Sequence, residues 1–140
     1  ETEPKPSAVV RTAALDARQQ SWIASADTFF IASSDAEGGA DASHRGGRPG
    51  FVRVLDSHRL AFPDYSGNNM FNTLGNLVRY PRAGLLFVDF TSGAVLQLTG
   101  RTEVLFAPER AVTFEIEDVV ERRGASALRW ELVEPSPSNP

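Results

Sequence analysis

Three arginines crowd one glycine-rich stretch. Arg45, Arg48 and Arg53 fall within nine positions, in and just beyond Arg45-Gly46-Gly47-Arg48-Pro49-Gly50. Glycines let a backbone approach a ligand closely, and the guanidinium fork matches the oxygens of a phosphate. A second polar group follows in Ser66-Gly67-Asn68-Asn69, directly before apolar residues at Met70, Phe71, Leu74 and Leu77. That spacing predicts one face of a helix, and Ser66, Asn68 and Asn69 are N-capping residue types. A helix start offers N–H groups with no intrahelical partner at the positive end of the dipole, which suits phosphate. Asn72 and Thr73, in the first turn, add side-chain donors. The same caps serve a helix that holds no ligand, so the link to the arginines has to come from topology. Phe51–Leu55 reads as a strand, Asp56-Ser57-His58 as its turn, and Arg59–Phe62 as its hairpin partner, which runs on through Pro63, Asp64 and Tyr65 to the capped helix. Hairpin geometry therefore brings Arg48 or Arg53 toward the helix start. The predicted chemistry is a joint grip on one doubly charged group.

Other constellations are weaker. Ser43 and His44 are neighbours on a predicted strand and point to opposite faces, so they form no nucleophile–base pair. No Gly-x-Ser-x-Gly elbow is present; Tyr65-Ser66-Gly67 is only a fragment of one. Two histidines, His44 and His58, without metal-ligand spacing and without any cysteine, argue against a protein-bound metal. His44 and Tyr65 remain the candidate proton-transfer groups. Gln97 lies between Leu96 and Leu98 on an alternating strand and faces away from them; it is either solvated or turned to a ligand groove.

The elements that position these residues are mostly strands. Leu15–Ala26 places Leu15, Gln19, Trp22, Ile23 and Ala26 on one helical stripe. Strands are expected at Thr28–Ser34, Ala40–His44, Phe51–Leu55, Arg59–Phe62, Ala83–Phe90, Ala94–Phe106 and Ala111–Glu121. The apolar run Ala83–Phe90 reads as buried on both faces, and Gly100 as a bend or bulge. The fold class is mainly β, a barrel of about six to seven strands with one helix between the fourth and fifth and a short N-terminal helix. Residues 1–14 read as an extended arm, 15–133 as one domain, and 134–140 as a Pro-rich tail. A net charge of −4 with scattered basic residues argues against a nucleic-acid surface. No apolar run approaches the roughly 18 residues of a membrane span, and the N-terminus lacks a signal pattern. The expectation is a soluble cytoplasmic domain.

Three segments together resemble the pyridoxamine 5'-phosphate oxidase-like superfamily of FMN-binding split β-barrels. They are His44 to Val54, Leu60 to Leu77, and Pro81-Arg82-Ala83-Gly84-Leu85-Leu86-Phe87, and the similarity runs from about Ala26 to Glu103. The resemblance implies a Greek-key-like split barrel, a homodimer, FMN at the subunit interface and a small-molecule substrate. By position it puts Arg48 on the flavin phosphate, with Arg45 in support, and Val52 and Arg53 near the ring. Phe62 to Ser66, including Pro63, Asp64 and Tyr65, would approach the ring and ribityl chain, and Asn69, Asn72 and Thr73 the phosphate. Gln97 completes the implied set. Asn72 and Thr73 are neutral where the family usually has basic residues. The end, Leu128-Arg129-Trp130-Glu131, lacks the Arg-x-His of the vitamin B6 oxidases. The implied function is a two-electron oxidoreductase acting on a small molecule, not necessarily a B6 oxidase. The alternatives are a flavin carrier or sensor, or the same barrel holding haem or a deazaflavin.

Overall fold

The computed structural model describes residues 8–34, 40–63, 77, 79–106 and 110–123. Helix α1 (Ala17–Ser25) packs on an antiparallel sheet. Its start is set by Asp16, whose carboxylate accepts from the Gln19 N–H at 2.7 Å. The Gln19 side chain accepts in return from the Asp16 N–H at 3.0 Å. This is a capping box, with two orphan donors satisfied reciprocally. Asp16→Ala is expected to lower stability by about 1 kcal/mol; an unmoved denaturant midpoint would show that the box contributes nothing.

Among the described residues the sheet has eight strands. They are β1 (Ala8–Thr12), β2 (Thr28–Ser34), β3 (Ala40–Gly46), β4 (Arg53–Asp56), β5 (Arg59–Pro63), β6 (Arg82–Val88), β7 (Val95–Leu105) and β8 (Ala111–Arg123). Their order is β3-β2-β6-β7-β8-β5-β4, and β1 also pairs with β8. One edge of β8 carries β7 along its length. The other is divided between β5, against Ala111–Glu115, and β1, against Val119–Arg123. The sheet thus curls into a split β-barrel.

A bulge sits at that division. Thr99 faces Asp118 but Gly100 faces Ile116, so Glu117 is an extra residue on β8. The buried positions of β8 accordingly pass from Val112, Phe114 and Ile116 to Val119 and Glu121. The barrel core centres on Phe29. It stacks with Phe51 and Phe87, at centroid distances of 5.8 and 5.2 Å, and meets Phe62 edge-on at 5.0 Å. Ile23 of α1 joins this core.

Several elements differ from the sequence expectation. Ala8–Thr12, inside the expected arm, is a strand, because β8 extends past its contact with β5 and leaves an edge to be paired. Arg45 is not a loop residue. It pairs with Phe29 near the end of β3, on the inward side of the sheet, and is buried. Phe51 and Val52 precede β4 rather than belonging to it, and both are buried. The run after Pro81 is buried on one face only: Ala83, Leu85 and Phe87 point inward, whereas Gly84, Leu86 and Val88 are half-exposed. Of the helix expected after β5, only Leu77 and Arg79 are among the described residues; both are helical, and Leu77 is buried.

Candidate functional site

The glycine loop is held from three sides. Gly47 N–H donates to the Asp27 carbonyl at 3.0 Å, and Phe51 N–H donates to the Arg48 carbonyl at 2.9 Å, closing a turn. Gly50 adopts φ 94°, the left-handed region that favours glycine. A Cβ on Gly47 would come within 2.7 Å of the Phe51 ring, so the loop lies directly on the aromatic core. Gly46, Gly47, Arg48, Pro49, Gly50 and Phe51 line a shallow depression of about 520 Å³. Around Gly50 the nearest neighbour that a Cβ would meet is the Ala24 carbonyl, at 3.9 Å. Exposed glycine backbone beside an exposed Arg48 fits an anionic group.

Arg53 opens β4, exposed, and faces Ala61 of β5, two residues before Pro63. The hairpin therefore sets Arg53 beside the end of the strand that leads toward residues 64–76, as the spacing required. Asp64, Tyr65, Ser66, Asn69, Asn72 and Thr73 lie outside the described residues. Val52 is 1% exposed, so its side chain belongs to the core. In the hairpin turn, Asp56 accepts from the His58 N–H at 2.7 Å and from Arg59 Nε at 3.1 Å. The His58 bond first, and Arg59 with it, holds the Asp56 carboxyl below the usual carboxylate range.

His44 and Gln97 belong to another row. On the outer face, one row across the sheet runs His44, Phe30, Leu86, Gln97 and Val120. His44 Nε2 is hydrogen-bonded to Thr28 Oγ1 and its ring lies 5.5 Å from that of Phe30. Arg53 belongs to a different row, with Ala61, Thr113 and Glu103. From Gln97 to Glu103 along β7 is about 20 Å at the usual rise per residue. Within one copy, then, Gln97 does not join the Arg53 row. Arg48 follows the end of β3, where Gly46 pairs with Thr28, and His44 lies beside that loop: a Cβ on Gly46 would stand 3.3 Å from its ring.

Sequence reading passed over Glu103, which belongs to the Arg53 row, and Arg101 and Glu115, which stand beside it on the same face. Arg82 nearby is bound to Glu117. That hydrogen bond, and after it the field of Arg82 and Arg101, lowers the Glu117 pKa against the opposing effect of desolvation. The only sequence signal for this group was outward parity on two alternating strands.

Among the described residues no three His, Cys, Asp or Glu side chains gather as a metal site, and no helix is long and apolar enough to cross a membrane. No curated protein matches the chain. Solved structures share its fold. A Lactobacillus delbrueckii protein named for pyridoxamine 5'-phosphate oxidase superimposes with TM-score 0.60 at 20% identity, covering 77% of this chain and 94% of its own. An FMN-binding protein from Syntrophomonas wolfei gives 0.57 at 11% identity, covering 73% and 82%. The FAD binding protein from Mycobacterium smegmatis gives 0.53 at 11% identity, covering 80% and 98%. At such identities the likeness is one of fold. The sequence itself is matched over residues 15–139 by the family described as pyridoxamine 5'-phosphate oxidase, and to that family the chain belongs.

Proposed function

We propose that the protein binds FMN between two copies of itself and acts as a two-electron oxidoreductase on a small molecule. The observation that carries this reading is the outer face of the barrel. Phe30, Leu86, Val88 and Val95 form an apolar surface across three strands, and Phe30 keeps 39% of its area exposed. An outward apolar sheet face of this kind marks an interaction surface, and a second copy turned face to face would cover it. Such packing also supplies what one copy lacks, because Gln97 of one copy can approach the Arg53 end of the other.

In this reading Arg48 and the glycine loop take the flavin phosphate, with Asn69, Asn72 and Thr73, and Arg53 lies near the ring. Pro63, Asp64, Tyr65 and Ser66 line the ring and ribityl chain. Arg45, being buried, acts behind Arg48 rather than on the exposed surface. Bound FMN supplies the hydride chemistry, and the protein supplies orientation and electrostatics. His44 and Tyr65 are the side chains available to move a proton. Neutral Asn72 and Thr73 favour a second reading, in which the same barrel holds a deazaflavin or haem.

The test is the absorption spectrum after reconstitution with FMN and desalting, taken with the mass in solution. Flavin bands and a dimer are expected; a colourless protein would remove the flavin, and a Soret band would put haem in its place. Reduction of the bound flavin by a nicotinamide donor separates an oxidoreductase from a carrier. Arg48→Ala is expected to weaken FMN binding by about 1.5 kcal/mol, the lower end for a charged hydrogen bond because the side chain is exposed. Unchanged affinity in a titration would take Arg48 out of the site.

A further inference from the structure

Where the β4–β5 hairpin meets β7 and β8, the outer face holds a cleft of about 500 Å³. Its side chains include Leu55, Arg59, Arg101, Glu103, Thr113 and Glu115. Arg59 faces Glu115, Glu115 faces Arg101, and Thr113 faces Glu103. Opposite charges that face each other on one side of an antiparallel pair attract, and the neighbouring charges are bridged: Arg82 binds Glu117, and Arg59 binds Asp56 at 3.1 Å. Arg101 and Glu115 are not bridged. Among the described residues neither side chain, nor that of Glu103, has an opposite charge within 4.0 Å. Leu55, set outward at the irregularity between Val54 and Asp56, adds an apolar wall and is 45% exposed.

We propose that this cleft binds a small zwitterion, with its anionic group on Arg101 and its cationic nitrogen on Glu115 and Glu103. A ligand of one sign is poorly served, since an anion meets two carboxylates and a cation meets two guanidiniums. An apolar segment between the two charges packs on Leu55. Glu103 and Thr113 share their row with Ala61 and Arg53, so a bound molecule lies beside the position given above to the flavin ring. Its role as the substrate subsite rests on the flavin reading; its binding does not.

Isotope-labelled protein, with and without FMN, is titrated with γ-aminobutyrate, butyrate and butylammonium, three probes of one chain length and different charge. γ-Aminobutyrate is expected to shift the backbone amides of Arg101 to Glu103 and of Thr113 to Glu115. Its half-saturation should lie roughly fivefold below that of either singly charged probe, the worth of one exposed ion pair. Arg101→Gln should abolish that advantage and leave amides elsewhere in place. No shift at these amides, equal half-saturation for the three probes, or an advantage that survives Arg101→Gln would overturn the proposal. A zwitterion advantage in protein that fails to take up FMN keeps the cleft and removes the flavin. The reverse result keeps the flavin and removes the cleft.

Discussion

Gly100→Ala is expected to cost the fold about 3 kcal/mol, the upper end for forcing extra volume into a packed site. A Cβ on Gly100 would stand 2.0 Å from the Glu115 carbonyl oxygen and 3.2 Å from the Ile116 Cα. Both obstacles are backbone of the paired strand β8, and neither can rotate away as a side chain would. Relief requires β7 and β8 to separate at the bulge, where Glu117 is already the extra residue. That movement would loosen β8 where its other edge passes from β5 to β1. For a domain of this size the melting temperature should fall by on the order of 10 °C. A shift of one or two degrees would mean that the strands part easily there, and the account of the bulge would be wrong.

The second large effect is expected at Glu121, 1% exposed and opposite Leu96 on β7. Its carboxylate accepts from Arg18 and, at 2.8 Å, from Gln19, both on α1, and from Arg123 Nε at 3.0 Å. Burial works against the charged form, but the bonds from Arg18, Gln19 and Arg123 outweigh it and hold the carboxyl below its usual range. A carboxyl with a depressed folded-state pKa stabilises the fold in full above the unfolded value, about 4.3. That contribution is lost as the pH falls through the folded pKa. Glu121→Ala should cost about 2–3 kcal/mol at neutral pH, because Gln19 and the two guanidiniums lose a charged acceptor. Glu121→Gln keeps the shape and removes the charge, so its deficit against wild type should shrink as the pH drops below about 4. Denaturation curves of the two proteins that stay equally spaced from neutral to acid pH would show that the charge is not what matters.

Much of the barrel was legible before any coordinates. The stripe of Gln19 and Ile23 belongs to α1, the alternation of Leu96 and Leu98 to β7, and the hairpin across Asp56 to His58 joins β4 and β5. Even the bulge left a trace, since Val112, Phe114 and Ile116 alternate and Val119-Val120 break the pattern. Gly100 marks the same place on the facing strand. These are local properties: alternation records which side of a strand meets the core, and short turns record which neighbours must pair.

The arginine cluster was legible only in part. From sequence, Arg45, Arg48 and Arg53 form one basic group; in the fold Arg45 is turned inward beside Phe29, and Arg48 and Arg53 stay exposed. The difference comes from where β3 stops. Its pairing with β2 runs through Gly46, and that register sets the inward side at Arg45.

By itself the chain determined most of its strand faces, its hairpin and, through the match over residues 15–139, its family. Tertiary structure alone decided that β8 would share an edge between β5 and β1. It also placed Arg18 and Gln19 on Glu121, left Arg101 and Glu115 facing one cleft unbridged, and put Gln97 far from Arg53. Periodicity fixes which face a residue takes, but it is silent on which distant strand will lie alongside. That choice is made by closing the sheet around one core, where every long-range pairing depends on all the others.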